Sequence, residues 1–284
     1  MAAELTPFAR RLLPARADLA AAHLEGSVEA ARFVAGRPMA VAVELLDLTL
    51  TPEPGAGLAT QLLRGEAFTV YDHADGLAWG QSGRDGYVGY VAAAGLGPAL
   101  GETARVTALW SHVYAAPALK ARITAGLPLG AQVAVDGAEA GFARLAGGGF
   151  VPEQHLAPVA GDAVDQALRF LGTPYLWGGR SARGIDCSGL VQMALAAVGI
   201  AAPRDSDMQA AMLGQPLEAE APAARGDLIF WDGHVGILRD PETLVHANAH
   251  HMAVVAEPFA PAAARIEAAG GGPVTARRRI APVQ

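Results

Sequence analysis

The chain holds a single cysteine, Cys187, in the segment Gly184-Ile185-Asp186-Cys187-Ser188-Gly189-Leu190. A lone thiol is either a small buried hydrophobe or a nucleophile, and its neighbours decide which. Residues Cys187 to Val198 read as a helix, with Leu190, Val191, Ala194, Leu195 and Val198 on one face and Gly199 as its stop. A thiol at a helix N-terminus meets the positive end of the macrodipole, which predicts a lowered pKa and a raised thiolate fraction. The first backbone N–H groups of such a helix can also hold an oxyanion. Asp186 is expected to cap this helix.

Two histidines complete the set. Strands are expected at Asp227–Trp231, His234–Leu238, Leu244–Asn248 and Val254–Phe259. His234 follows the Asp232-Gly233 turn, and His246 lies on the return strand after Arg239-Asp240-Pro241-Glu242. If Leu238 pairs with Glu242, His234 falls opposite His246, with Cβ atoms about 4.5–5.5 Å apart. A slip of one residue would turn one imidazole to the other face. In this register His234 can serve the thiol as base while His246 orients it, the general nucleophile–base–orienter arrangement. The same three side chains suit zinc, but a zinc site has no need of the Tyr175-Leu176-Trp177-Gly178-Gly179 turn that precedes Cys187. One cysteine excludes an intramolecular disulfide and a multi-cysteine zinc site. No metal or organic cofactor is expected.

The remaining elements divide the chain into four parts. Residues 1–38 read as a helical lead-in, from Asp18–Leu24 and Val28–Val34, broken at Gly26 and Gly36. Residues 39–97 and 98–155 read as two small all-β barrels, since short apolar runs alternate with Gly, Pro and Asp. The two look like copies: Leu62-Leu63-Arg64-Gly65 recurs 65 residues on as Leu127-Pro128-Leu129-Gly130, and Gly89-Tyr90-Val91 has a counterpart in Gly149-Phe150-Val151. Residues 156–284 are mixed, with helices at Asp165–Leu171 and Cys187–Val198 followed by strands, an α+β pattern.

Asp-Cys-Ser-Gly after a Tyr-x-Trp-Gly-Gly turn, then Gly226-Asp227-Leu228-Ile229-Phe230-Trp231, then Gly233-His234-Val235-Gly236-Ile237, then Val245-His246-Ala247, resembles the NlpC-type cell-wall peptidases. The resemblance covers roughly residues 160–250. It implies a papain-like α+β domain with Cys187 as nucleophile, His234 as base and His246 as orienter. The segment Gly65-Glu66, Asp75-Gly76, Trp79 and Asp85-Gly86-Tyr87-Val88-Gly89-Tyr90 resembles a bacterial SH3-like domain, and 98–155 a weaker second one. Relatives with SH3-like domains ahead of the peptidase often cleave murein peptides between γ-D-glutamate and a diamino acid, some requiring a free N-terminal L-Ala. By that resemblance Tyr175 lies beside the thiol, and Asp205 and Ser206 of the Arg204-Asp205-Ser206 segment bind substrate. Glu66 and Tyr87 would add an acid and a hydroxyl to an amine pocket. Read from the residues alone, Asp205 and Ser206 also suit a helix N-cap pair, Tyr87 a barrel core, and Trp177 a packed turn.

Of 284 residues, 52% are apolar and 17% charged, with a net charge of −7, so extensive disorder and a nucleic-acid or anionic-membrane partner are not expected. The basic run Arg277-Arg278-Arg279 reads as an edge strand or a solvated end. Arg10, Arg11, Arg16 and Asp18 interrupt every apolar run near the start, so no leader or membrane span is expected and the default location is the cytoplasm. The expected function is hydrolysis of murein peptides in recycling or turnover, by a monomer as default. An amidase or acyltransferase with the same Cys-His-His set, or a wall-binding protein with secondary catalysis, are the competing readings.

Overall fold

In a computed structural model, which describes residues 11–218 and 220–280, the chain divides into two compact units between Ala157 and Pro158. The N-terminal unit carries two main sheets. The first has seven antiparallel strands in the order Leu58–Leu63, Leu45–Thr49, Val88–Ala92, Leu77–Ser82, Ala67–Ala74, Arg37–Val41, Leu96–Pro98. Period-two alternation sends Leu46, Leu48, Leu62, Phe68, Val70 and Val91 into one core. The second has five, in the order Ile123–Pro128, Trp110–Tyr114, Phe150–Pro152, Phe142–Leu145, Val135–Glu139, around Val113, Leu127, Leu145 and Val151. The hairpin of Leu45–Thr49 with Leu58–Leu63 recurs at the 65-residue spacing as Trp110–Tyr114 with Ile123–Pro128. Even the irregularity of register recurs, at Leu48/Thr49 and at Val113/Tyr114. The pair Thr49–Tyr90 has its counterpart in Tyr114–Phe150.

The helical lead-in does not form as expected. Residues 1–10 lie outside the described residues. Over Asp18–Leu24 and Val28–Val34 there is one 3₁₀ turn, Ala22–Leu24, and Ala20–Ala21 pairs in parallel with Phe33–Val34. Isolated helices this short are marginal, so burial decides: Leu19 and Val34 pack with Trp79 and Val88 against the first sheet.

In the C-terminal unit we number four helices, α1 (Ala163–Leu168), α2 (Cys187–Ala197), α3 (Ser206–Met212) and α4 (Phe259–Ile266). Besides the short antiparallel pair Arg180–Ser181 and Gly184–Ile185, its strands among the described residues are β1 (Gln215–Pro216), β2 (Asp227–Trp231), β3 (His234–Asp240), β4 (Thr243–Asn248), β5 (Ala253–Pro258) and β6 (Ala276–Arg279), the six of the main sheet. They form one antiparallel sheet in the order β1-β6-β2-β3-β4-β5. Helix α2 is buried along almost its whole length and packs on β3 and β4. Sequence reading missed α3 and α4. In α4 the sequence Phe-Ala-Pro-Ala-Ala-Ala-Arg-Ile carries Pro261, which reads as a breaker. In the first turn its missing N–H has no partner to lose, so the helix tolerates it. The basic run is neither an edge nor a solvated end: β6 pairs on both sides, with β1 and β2. Arg279 forks onto fully buried Asp227, with Nε–Oδ1 at 2.7 Å and Nη2–Oδ2 at 2.8 Å.

Candidate active site

Asp186 caps α2, as expected, but does more. Its Oδ1 accepts the Gly189 N–H at 2.7 Å and its Oδ2 the Gly178 N–H at 2.8 Å, so one carboxylate ties the Trp-Gly-Gly turn to the start of the cysteine helix. Glycine is required here: a Cβ at Gly189 would lie 2.4 Å from the Gly179 carbonyl. Arg204 closes the hub with Nη1–Oδ1 at 3.0 Å, Nη2–Oδ2 at 2.6 Å and a bond to Ser188 Oγ at 2.9 Å. Arg204 is only 1% exposed, so it is a buried bidentate ion pair. Sequence reading named Arg204 only as part of a motif and gave it no such task.

The backbone N–H groups of Ser188 and of Val235, the residue after His234 on β3, both act on the thiol. The expectation of a lowered thiol pKa is corrected. Burial pushes Cys187 up to about 12, and the Asp186 charge adds to it; the two N–H groups pull the other way and lose. Burial, and then the charges of Cys187 and Asp186, raise the Tyr175 hydroxyl pKa.

The histidines meet by a different register from the expected one. Ile237 pairs with Val245 and Leu238 with Leu244, with an irregularity before Asp240–Thr243. That is a slip of two residues, which preserves the face of every side chain because the strand period is two. His234 therefore meets His246 diagonally, Nε2 to Nδ1 at 2.8 Å. Gly236 makes the approach possible, since a Cβ there would lie 3.2 Å from the His246 Cβ and 2.6 Å from Leu244 Cδ1. Trp231 walls His234 at 5.6 Å between ring centroids. Burial, then the neighbouring His246 and Arg265, lower His234 to about 3, and burial lowers His246 as well. Thiol and imidazole are thus both neutral at rest.

Behind His246 stands a residue that sequence reading missed. His246 Nε2 lies 2.8 Å from Glu257 Oε1, and Glu257 is gripped by Arg265 through two contacts of 2.7 Å. Arg265 and then His246 hold the Glu257 carboxyl at about 2, well below the usual range. Glu257 lies outside every motif block; its only sequence signal was its place on the expected strand at 254–259, two residues along from the partner of His246, Val255.

Asp205 occupies the N-cap position of α3 without a side-chain capping bond, and Ser206 opens the helix. In the N-terminal unit, Glu66 is buried, accepts the Leu63 N–H at 2.9 Å and lies 3.4 Å from Arg84. Tyr87 packs in the core of the first sheet. His250 and His251 lie beyond β4, exposed and edge to face. Among the described residues no three His, Cys, Asp or Glu side chains converge as metal ligands, and no helix is long and apolar enough to cross a membrane.

Cys187 thus opens a buried helix that packs on β3 and β4, the two strands that carry His234 and His246. Residues 172–263 match the NlpC/P60 family and residues 49–96 match the bacterial dipeptidyl-peptidase SH3 domain, so the chain carries an NlpC/P60 domain together with an SH3-like domain. It is 38% identical over 89 residues to dipeptidyl-peptidase 6 of Lysinibacillus sphaericus, 31% of this chain and 32% of that one. It is 42% identical over 82 residues to the gamma-D-glutamyl-L-lysine dipeptidyl-peptidase of Bacillus subtilis (strain 168), 28% of this chain and 27% of that one. Each match thus spans under a third of the relative's own length. A crystal structure of an NlpC/P60 family protein from Bacillus cereus ATCC 10987 shares the fold, with a TM-score of 0.71 at 20% identity over 87% of this chain and 100% of that one.

Proposed function

We propose that this chain is a cysteine endopeptidase acting on murein peptides, at the bond between γ-D-glutamate and a diamino acid in free L-Ala-γ-D-Glu-diamino acid peptides. The observation that carries the chemistry is the 2.8 Å contact of His234 with His246 on the two strands against which the Cys187 helix packs. Cys187 is the nucleophile, His234 the base and His246 the orienter. Because thiol and imidazole rest neutral, His234 takes the thiol proton as sulfur attacks the peptide carbonyl. Backbone N–H groups at the start of α2 receive the oxyanion. The departing amine takes the proton from His234, leaving a thioester, and water activated by His234 releases the new carboxylate.

Cleavage behind a free N-terminal dipeptide is supported by the names of the two relatives above, both dipeptidyl-peptidases. In this reading Tyr175, Asp205 and Ser206 contact the substrate. The five-stranded module over 98–155 is a second, diverged SH3-like copy; its hairpin spacing supports this. The test is mass-spectrometric product analysis on L-Ala-γ-D-Glu-diaminopimelate and its lysine counterpart, with the amine free or acetylated. The expected product is L-Ala-D-Glu from the free peptides only. Equal rates on the acetylated peptides would remove the free-amine requirement, and no cleavage of any of them would remove the substrate class.

A further inference from the structure

The row of hydrogen bonds does not stop at His246, and its direction follows from its last acceptor. An ionised carboxylate can only accept, so the proton between Glu257 Oε1 and His246 Nε2, 2.8 Å apart, belongs to the imidazole. His246 Nδ1 then carries a lone pair. The 2.8 Å contact to His234 Nε2 is made only if His234 donates from that nitrogen. His234 Nδ1 is left as the acceptor, the atom that can take a thiol proton.

A second group contests this order. Asn248 Nδ2 lies 3.0 Å from the same His246 Nε2. Its orientation is set from the other side, because Asn248 Oδ1 accepts the His251 backbone N–H at 2.9 Å. If Asn248 donated to Nε2, every proton in the row would move: His246 would carry its proton on Nδ1, and His234 would present an N–H to the thiol. That imidazole cannot act as base. What selects the first arrangement is the anion at position 257.

We infer that Glu257, held by Arg265, is a positioning residue that selects the tautomers of His246 and His234 against the competing amide of Asn248, and so leaves His234 Nδ1 free to serve as the base. The assignment rests on the proposed roles of Cys187 and His234. Arg265 grips both oxygens, which aims Oε1 at His246 and keeps the carboxylate charged. The other charged or titratable group near it is His251, whose Nδ1 lies 3.8 Å from Oε1. When His234 takes up the thiol proton, the positive charge faces a row that ends in a fixed anion. Glu257 itself touches neither thiol nor substrate.

The decisive measurement needs no substrate. In full-length protein with ¹⁵N-labelled histidine at pH 8, His246 and His234 should both appear as Nε2–H tautomers. Glu257→Gln should convert His246 to the Nδ1–H form. A wild-type His246 protonated on Nδ1, or a Glu257→Gln spectrum without conversion, would overturn the inference; if that variant fails to fold, the wild-type assignment decides alone. On a cleaved murein peptide, Glu257→Gln should lower kcat by about 100-fold with KM within about twofold, and Glu257→Asp should recover part of it. Asn248→Leu in the Glu257→Gln background, which removes the competing donor, should restore kcat at least tenfold. Failure of wild type to cleave any such peptide would count against the substrate reading and leave the tautomer result standing.

Discussion

Two clamped carboxylates flank Cys187 and the two histidines, and they are built alike. Asp186 stands behind the thiol and is forked by Arg204; Glu257 stands behind the histidines and is forked by Arg265. Their settings differ. The Asp186–Arg204 pair is almost fully enclosed, with side-chain exposures of 9% and 1%, whereas Glu257 and Arg265 keep 14% and 28%. Asp186 binds the backbone and so builds the helix start; Glu257 binds a side chain and so orders protons. One device, a carboxylate held in an arginine fork, thus serves either architecture or the placing of protons, according to what its remaining lone pairs face.

The largest expected effect is on what lies between the clamps. Cys187→Ala should reduce peptide cleavage by at least about 1,000-fold while leaving the thermal midpoint within a few degrees. Full activity in that variant would dissolve the comparison, since neither clamp would then serve a nucleophile. Next come the arginines. Arg204→Met strands a buried carboxylate and should cost about 3–5 kcal/mol in urea unfolding. Arg265→Met, at the more exposed clamp, should cost under about 2 kcal/mol. Equal losses would mean that the two clamps are not distinguished by burial.

A third difference concerns the thiol. The Asp186 charge raises the Cys187 pKa, so Asp186→Asn, which can still cap α2, should speed iodoacetamide alkylation at pH 8 by up to about tenfold. Glu257 exerts no charge effect on the thiol, so a change of that rate in Glu257→Gln reports the proton on His234 instead. The smallest and broadest effect is on acid stability. His234, lowered to about 3, and His246, also lowered, stay neutral in the fold where an unfolded imidazole with a pKa of 6.5 takes up a proton. The unfolded chain therefore binds more protons below about pH 6.5, so stability is full above that pH and declines as pH falls toward 3. Glu257, lowered from 4.5 to about 2, adds its own loss as pH falls through that lower window. Thermal midpoints from pH 8 to 4 should trace the first decline, and His234→Asn should flatten it.

The first clamp was half legible in the sequence and the second was not. Asp186 stands next to Cys187, so its role as a cap follows from local backbone geometry. Its partner Arg204 lies beyond α2, and only packing shows that its fork reaches back. The histidine face could be read because strand parity survives a two-residue slip; the register itself could not, since the irregularity before Asp240 leaves no mark in the hydrophobic pattern. Glu257 and Arg265 sit on β5 and α4, the latter a helix that Pro261 hid.

What the sequence alone determined is the set of residue types with local order: one thiol at a helix start, two histidines on one face of a hairpin, and a β hairpin repeated after 65 residues. Local propensity and strand period act over a few residues and survive being read in one dimension. Tertiary structure decided the thiol's acidity and the protons on the imidazoles. Burial outweighed the helix N-terminus at Cys187, and a carboxylate from a neighbouring strand outweighs an amide at His246. Both outcomes depend on which groups lie within about 4 Å once the sheet has formed, and spacing along the chain does not encode that distance.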